Sequence, residues 1–456
     1  MSVMVGTERD AQLAAWRQAA RDQLDWQAAR AEMFQAYYDG ETDVMALMDS
    51  EERRAFRSFL RESGANWCEL IVNAVAERLQ VTGFRFGSQE DNDLAWSIWQ
   101  ANAMDADAEM VQTDALVTGS GFVLVQPDDD NPSGVSITPE SPQEATVLYE
   151  PGSRRRRAAG FKRYAEGGAA DAPSVLAATA GSYTEILILP ELIATWWPGE
   201  QYAQIDPNPL GEVGLIELVP QPRTYGAPRS ELTPALVIQD RINTQIFARL
   251  VSADYGAFRQ IWASGVRMAR KVVSEGGQEV TKGVKPFDVG ANRLLIGEDP
   301  AARFGSFPEA TLQGFLNSVE QDVNQLAAIT QTPPHYLLGQ LVNLSADAIK
   351  AAEAGLVAKV GRRALHIGEG HEEVMRTALA IVGNAAAGNV AAEVVWRDFE
   401  TRSESQLVDA LVKMRGLGVP LEVIWERWGA SPQEITRWKQ LAAEEAATAP
   451  EAAYEA

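Results

Sequence analysis

Residues 230–350 constrain this chain more than any other stretch. Leu232, Leu236, Ile242, Ile246 and Leu250 recur at multiples of nearly one turn, which predicts a helix from Ser230 to Trp262. A second helix is predicted after Pro308, with Leu312, Phe315, Leu316, Val319, Val323 and Leu326 on one face. Thr332-Pro333-Pro334 must end it, because paired prolines lack donors and force extended geometry on the residue before them. His335 to Leu344 then carries no charge apart from any on the histidine. Ser345 with Asp347 fits the N-cap and first turn of a third helix, expected to run to about Val382 with a bend at Gly361 or Gly368. Two helices around an insert, followed by a neutral loop and a long helix, describe a scaffold. A catalytic pocket is not usually laid out in this way.

The insert, Val266 to Phe307, holds seven basic residues (Arg267, Arg270, Lys271, Lys282, Lys285, Arg293, Arg303) against five acidic ones, in a chain whose net charge is −23. That total argues against a general DNA-coating protein, since affinity for nucleic acid comes mainly from Lys and Arg on phosphates. A length of 456 residues allows two or three domains, and 46% hydrophobic with 23% charged residues is ordinary globular composition. The single cysteine, Cys68, permits no internal disulfide and suits a reducing compartment. No charged-then-apolar leader follows Met1 and no apolar run nears 18 residues, so neither secretion nor membrane spanning is expected.

Before residue 230 the pattern predicts helices over 8–35, 51–63, 65–80 and 91–118, with Gly83 ending the third of these. Short apolar or alternating runs at 122–125, 145–149, 160–164, 183–189, 193–197 and 211–218, separated by Gly, Pro and Asp, predict antiparallel strands. Beyond the third long helix, 383–389 reads as a loop and the rest as a small helical domain. Its punctuation is Ser403 with Gln406, Gly416 and Gly418, Pro420, Gly429, and Ser431-Pro432 with Glu434. The Ala/Glu-rich tail from Ala442 is expected to be mobile.

Chemistry-bearing residues are sparse. His366 and His371 are five apart and do not share a helix face, so Glu369, Glu372 and Glu373 beside them read as helix surface before they read as metal ligands. No phosphate-binding Gly-x-x-x-x-Gly-Lys loop occurs, and Gly119-Ser120-Gly121 reads as a turn. Cys68 reads as a packed residue, and Asp128-Asp129-Asp130-Asn131 as a solvated turn rather than a Ca²⁺ loop. Arg154 to Arg157 is the densest charge on the chain. It sits in a Pro-Gly-Ser turn, as a solvated hairpin or a contact with an acidic neighbouring subunit, with DNA binding as the alternative.

Arg229-Ser230-Glu231-Leu232, Gln239-Asp240-Arg241-Ile242-Asn243, Gln331-Thr332-Pro333-Pro334 and the run from Asn343 to Glu353 follow one another in a recognisable order. Tyr37-Tyr38-Asp39-Gly40, Asn66-Trp67 and Ala76-Glu77-Arg78-Leu79 with Gly83-Phe84 precede them. This collinear set resembles the portal proteins of tailed bacteriophages, the head-to-tail connectors, in the group typical of long-tailed phages of Gram-positive hosts. The resemblance implies an α+β, predominantly α-helical portal fold with wing, stem, clip and crown, assembled as a ring of about twelve copies at one capsid vertex. It divides the chain into a wing of N-terminal helices and antiparallel strands (1–229), a stem helix (230–265), the clip (266–308) and a second stem helix (309–332). The tunnel loop (333–344), a long helix of wing and spine (345–385) and a helical crown with a mobile acidic tail (386–456) follow.

The implied function is a channel for packaging and ejecting genomic double-stranded DNA, with no enzymatic activity and no cofactor or metal. Gln340, Leu341, Val342 and Asn343 are then the loop that touches DNA. Arg267, Arg270, Lys271, Lys282 and Lys285 dock the terminase large subunit and later the head-to-tail adaptor. Ile246 and Phe247 are candidates for the contact between subunits. Major capsid and scaffolding proteins are further implied partners, and the place is the virion, after assembly in the bacterial host cytoplasm. The rival readings are an enzyme acting on nucleic acid, which calls for clustered carboxylates or a phosphate loop that the sequence lacks, and a monomeric peripheral adaptor of the virion.

Overall fold

The computed structural model describes residues 2–41, 62–165, 183–257, 261–264, 270–275, 278–283, 303–306, 312–339, 346–400, 404–430 and 432–448. The chain divides into two units, one comprising Met1–Asp43, Ala65–Asp240 and Asp322–Ala456, the other built around Arg241–Gln321. The architecture is α+β, with long helices beside antiparallel sheets.

The larger unit begins with α1 (Ser2–Asp39), α2 (Cys68–Ala76), β1 (Val81–Arg85), α3 (Gln89–Ala101) and α4 (Met104–Thr118). The strands β2 (Gly121–Pro127), β3 (Val135–Glu140), β4 (Ala145–Tyr149), β5 (Arg157–Ala165), β6 (Tyr183–Ile188), β7 (Leu192–Trp196), β8 (Gln204–Pro207) and β9 (Leu215–Leu218) follow. They form a three-stranded sheet in the order β3-β2-β9 and a five-stranded sheet in the order β4-β5-β6-β7-β8, every described pairing antiparallel. Leu13, Ala20 and Leu24 lay one stripe of α1 on Phe161, Leu187 and Trp196 of the larger sheet. Arg17 and Arg21 clamp the same contact through Glu185, at 2.6 and 2.7 Å.

Four expectations change here. The helix predicted over 91–118 is two helices: Asn102 caps the first, donating from its side chain to Ile98 O at 2.9 Å and accepting from Ile137 N at 2.9 Å, and Ala103 turns to φ +53° before the second. Gly83 does not end a segment; it lies inside β1, whose partner is β14 (Glu393–Trp396). That pairing also places strand where an all-helical crown was expected. β3 and β8 were not foreseen. The turn reading of Gly119-Ser120-Gly121 stands: Gly119 closes α4 at φ +103°, and a Cβ on Gly121 would meet Val111 O at 2.5 Å, so the next strand can start only on a glycine.

Further along are α5 (Leu236–Ala257), β10 (Ile261–Ser264), β11 (Arg270–Glu275), β12 (Gln278–Gly283), β13 (Arg303–Ser306), α6 (Gln313–Thr330), α7 (Pro334–Leu338) and α8 (Ala346–Ile381). The expected Ser230 start of α5 is a turn, since Glu231 N bonds Leu116 O at 2.9 Å instead of entering a helix. Trp262 is in β10, opposite Gly305. In the smaller unit β10 pairs with β13 as one antiparallel two-stranded sheet, and β11 with β12 as an antiparallel hairpin between them in sequence. α8 runs without interruption through Gly361 and Gly368. The glycine that matters on it is Gly370, where a Cβ would stand 2.8 Å from Leu218 Cγ, so the helix comes directly onto β9. The chain closes with α9 (Glu404–Gly416), α10 (Leu421–Trp428) and α11 (Pro432–Thr448).

His371 is sealed in the core that α8 makes with α3 and α4. Trp99 meets it edge-on at 5.2 Å and Trp396 lies at 6.0 Å. The Gln112 amide nitrogen is 3.1 Å from Nε2. Burial pushes the imidazole down to about 3. The unfolded chain takes up this proton near pH 6.5, and the folded chain refuses it until about pH 3. Stability therefore falls as pH drops through that window and is untouched above it. Urea titrations at pH 7 and pH 5 should show the parent losing about 2 kcal/mol more than His371→Leu over that interval. Equal losses would mean that the imidazole titrates in the folded state.

Candidate functional site: a braced junction around residues 340–345

The segments singled out in the sequence meet at one junction in the larger unit. Ser230 hydroxyl bonds Val117 O and accepts from Leu232 N at 3.0 Å, which fixes the turn after the last strand. This places the Glu231 carboxylate, 4% exposed, against α8. Lys359 Nζ reaches it at 3.0 Å, Arg363 Nε bonds it, and Gln221 donates at 2.7 Å. Burial alone would push this carboxyl up, but the two cations outweigh it and hold it below the usual range.

Lys359 also donates to Thr330 O at 2.9 Å, so the last turn of α6 is tied to the same carboxylate. Beyond it Gln331 sits at φ +55° and accepts from Arg362 at 3.0 Å. Pro333 is extended (φ −57°, ψ +134°), Pro334 opens α7, and Gly339 closes α7 at φ +63°. Tyr336 on α7 is held from both sides: Arg78 donates to its hydroxyl at 2.8 Å, and the hydroxyl donates to Glu353 at 2.9 Å. Trp67 Nε1 donates to Leu337 O at 3.1 Å, and Trp67 N to Gln239 Oε1 at 3.1 Å. Tyr37 hydroxyl closes the far side on Asp240 at 2.9 Å.

Residues 340–345, which include Gln340, Leu341, Val342 and Asn343, lie outside the described residues; both of their neighbours, Gly339 and α8, belong to this braced frame. Arg267 and Lys285 also lie outside the described residues. Arg270, Lys271 and Lys282 stand on the β11–β12 hairpin, where Lys271 and Lys282 occupy directly opposite positions. Ile246 and Phe247 are buried within the single chain, so an Asp there would report on internal packing before it reported on assembly.

Sequence reasoning missed the Glu231–Lys359–Arg363 cluster. Its one sequence signal is a pair of basic residues four apart on α8, between the buried Leu356, Val360, Ala364 and Ile367. Elsewhere, His366 is exposed and His371 buried, so they face opposite ways. The buried Cys68 thiol is pushed up to about 12 by desolvation and by Asp240, far from a reactive thiolate. Arg154 to Arg156 do lie in the turn of a hairpin, between β4 and β5, but Arg157 opens β5 and reaches Glu373 at 2.9 Å.

Replacing Lys359 with Met leaves Thr330 O without its donor and Glu231 with one cation. The expected loss is about 3–5 kcal/mol in urea unfolding, with part of it recovered in the Glu231→Gln/Lys359→Met double variant. A single variant within about 1 kcal/mol of the parent would show that the junction does not rest on this lysine.

Comparison with known proteins gives one consistent result. The family model described as "Phage portal protein, SPP1 Gp6-like" matches residues 19–448. The portal protein of Mycobacterium phage L5 is 32% identical over 457 residues, covering 92% of this chain and 88% of the relative. That of Mycobacterium phage D29 is 32% identical over 398 residues, covering 81% and 78%. A solved chain from the virion of a native gene transfer agent particle aligns with a TM-score of 0.40 and 14% identity, over 85% of this chain and 89% of its own.

Proposed function

The chain belongs to the SPP1 Gp6-like family of phage portal proteins, and we propose that about twelve copies form a ring at one capsid vertex, through which genomic DNA is packaged and later ejected. Family membership across residues 19–448 carries this reading. The ring is assembled in the host cytoplasm among scaffolding and major capsid proteins, docks the terminase large subunit, and then holds the head-to-tail adaptor. Its work is geometric and electrostatic: the family is structural, and the ATP-driven step belongs to the motor. The larger unit supplies wing and crown, and the stretch 241–321 supplies stem and clip. Between copies, the exposed apolar side chains of Val237 (75%) and Leu365 (65%) are better placed than Ile246 and Phe247 to be covered by a neighbour.

In this reading residues 340–343 face the passing duplex. They are uncharged, so they touch phosphate without holding it, and the braced junction keeps their ends from following the DNA. A cation there would convert contact into grip, because each phosphate neutralised adds about −0.9 to the slope of log affinity against log salt. Gln340→Lys should assemble normally, package or eject DNA slowly, and recover as salt is added. Packaging and ejection at the parental rate in low salt would remove this segment from the channel.

The β11–β12 hairpin carries the docking proposal. Lys271 and Lys282 share a register position on it, so a partner offering acidic groups would complement this hairpin. Reversing Arg267, Arg270 and Lys271 to Glu should leave rings intact and weaken capture of the motor or adaptor. Unchanged packaging and tail joining in the triple variant would exclude the hairpin as the docking surface.

A further inference from the structure

Of the four consecutive arginines at 154–157, three find carboxylates in their own chain. Arg155 meets Glu369 at 3.5 Å, Arg156 meets Glu150 at 3.6 Å, and Arg157 meets Glu373 and Glu212 at 2.9 and 3.8 Å. Arg154 does not. It lines a cavity of about 560 Å³ together with Arg30 of α1 and Arg223. Arg30 donates to Pro228 O at 2.6 Å and Arg154 to Arg223 O. These bonds fix two guanidiniums in the wall without neutralising them. None of the three makes an ion pair among the described residues. Burial and the nearby Arg223 pull Arg30 below its usual range, as expected of a crowded cation without a counter-charge.

Glu217, the one carboxylate among the described residues that line the cavity, is already engaged: Ser120 hydroxyl donates to it at 2.6 Å and Tyr149 hydroxyl at 2.8 Å. The wall therefore carries three cations against one anion, in a chain whose total is −23. A guanidinium presents a planar fork of donors matched to a carboxylate. Around the cavity large aromatics stand open to solvent: Trp26 lines it, and Tyr225, 91% exposed, lies in the loop that carries Arg223. Exposed aromatic and arginine residues together are the composition of a protein interface.

We propose that this cavity is a socket for a carboxylate side chain of a neighbouring copy, so that each socket is completed only in the assembled ring. The inference rests on the ring reading. A second copy fits better than other occupants because it brings a large acidic surplus. Chains of charge −23 set side by side repel unless each offers cations at the contact. Arg30, Arg154 and Arg223 are such cations, with no carboxylate among the described residues to pair with them.

The test uses full-length Arg223→Lys, which keeps the charge and supplies an amine, assembled from an equal mixture of ¹⁴N- and ¹⁵N-labelled chains. A carbodiimide then joins that amine to any carboxylate in contact, and mass spectrometry reads the isotopes of the joined peptides. Cross-links pairing position 223 of one label with an Asp or Glu of the other are expected. Arg154→Glu/Arg223→Glu, both at exposed positions, should lower subunit association about tenfold at low salt, with the difference shrinking as salt rises. Rings with only same-label cross-links or none at position 223, or charge-reversed rings as stable as the parent, would overturn the socket. So would inorganic phosphate raising the melting temperature of unassembled chains while leaving ring association unchanged, since that marks a small-anion site. Native mass of the untreated parent is read separately: absence of rings there counts against the portal assembly itself.

Discussion

A carboxylate withdrawn from water on one side of the junction organises the rest. Glu231 is placed by a turn whose backbone is committed to the end of α4. Stripping a carboxylate of water costs several kcal/mol, and only close cations with good geometry return it. Positions 359 and 363 of α8 must therefore stay in register with that turn. Because the same lysine holds Thr330 O, the end of α6 inherits that register, and the Pro333-Pro334 corner and α7 inherit it from α6. One buried charge thus fixes the relation of three elements that are far apart in the chain.

The distribution of charge follows the same logic. Cations near the junction are already spent inside the protein: Arg78 on Tyr336 and Ala74, Lys359 and Arg363 on Glu231. Pairs at the surface, such as Lys413 with Asp409, contribute little to stability in water. The junction is rigid where these internal charges are paired.

The sequence made some of this legible. The apolar period beyond residue 345 and Pro333-Pro334 announced α8 and the end of α6, because helical periodicity and prolines act locally. Strands at 145–149 and 183–189 were readable for the same reason, as short apolar runs between turn formers. What escaped needed a distant partner. Asn102 interrupts a continuous helical pattern, and its partners Asn131 and Ile137 lie some thirty residues on. Glu231 and Lys359 are far apart in the chain, and only the fold buries them together. The strands between 261 and 306 carry no clear alternation, and their pairing shows only in the backbone ladder.

The β1–β14 pair has a consequence for synthesis. β14 lies roughly 300 residues downstream of β1, so at bacterial elongation rates the first strand leaves the ribosome about 15–60 s before its partner exists. For that interval Val81–Arg85 is an unsatisfied edge, the kind of template on which nascent chains aggregate. Its form reduces the hazard. The strand is five residues long, is irregular in register between Val81 and Gly83, and ends on a charged residue, all features that disfavour pairing with a foreign strand. The same irregularity that makes β1 hard to recognise protects the unfinished chain while it waits.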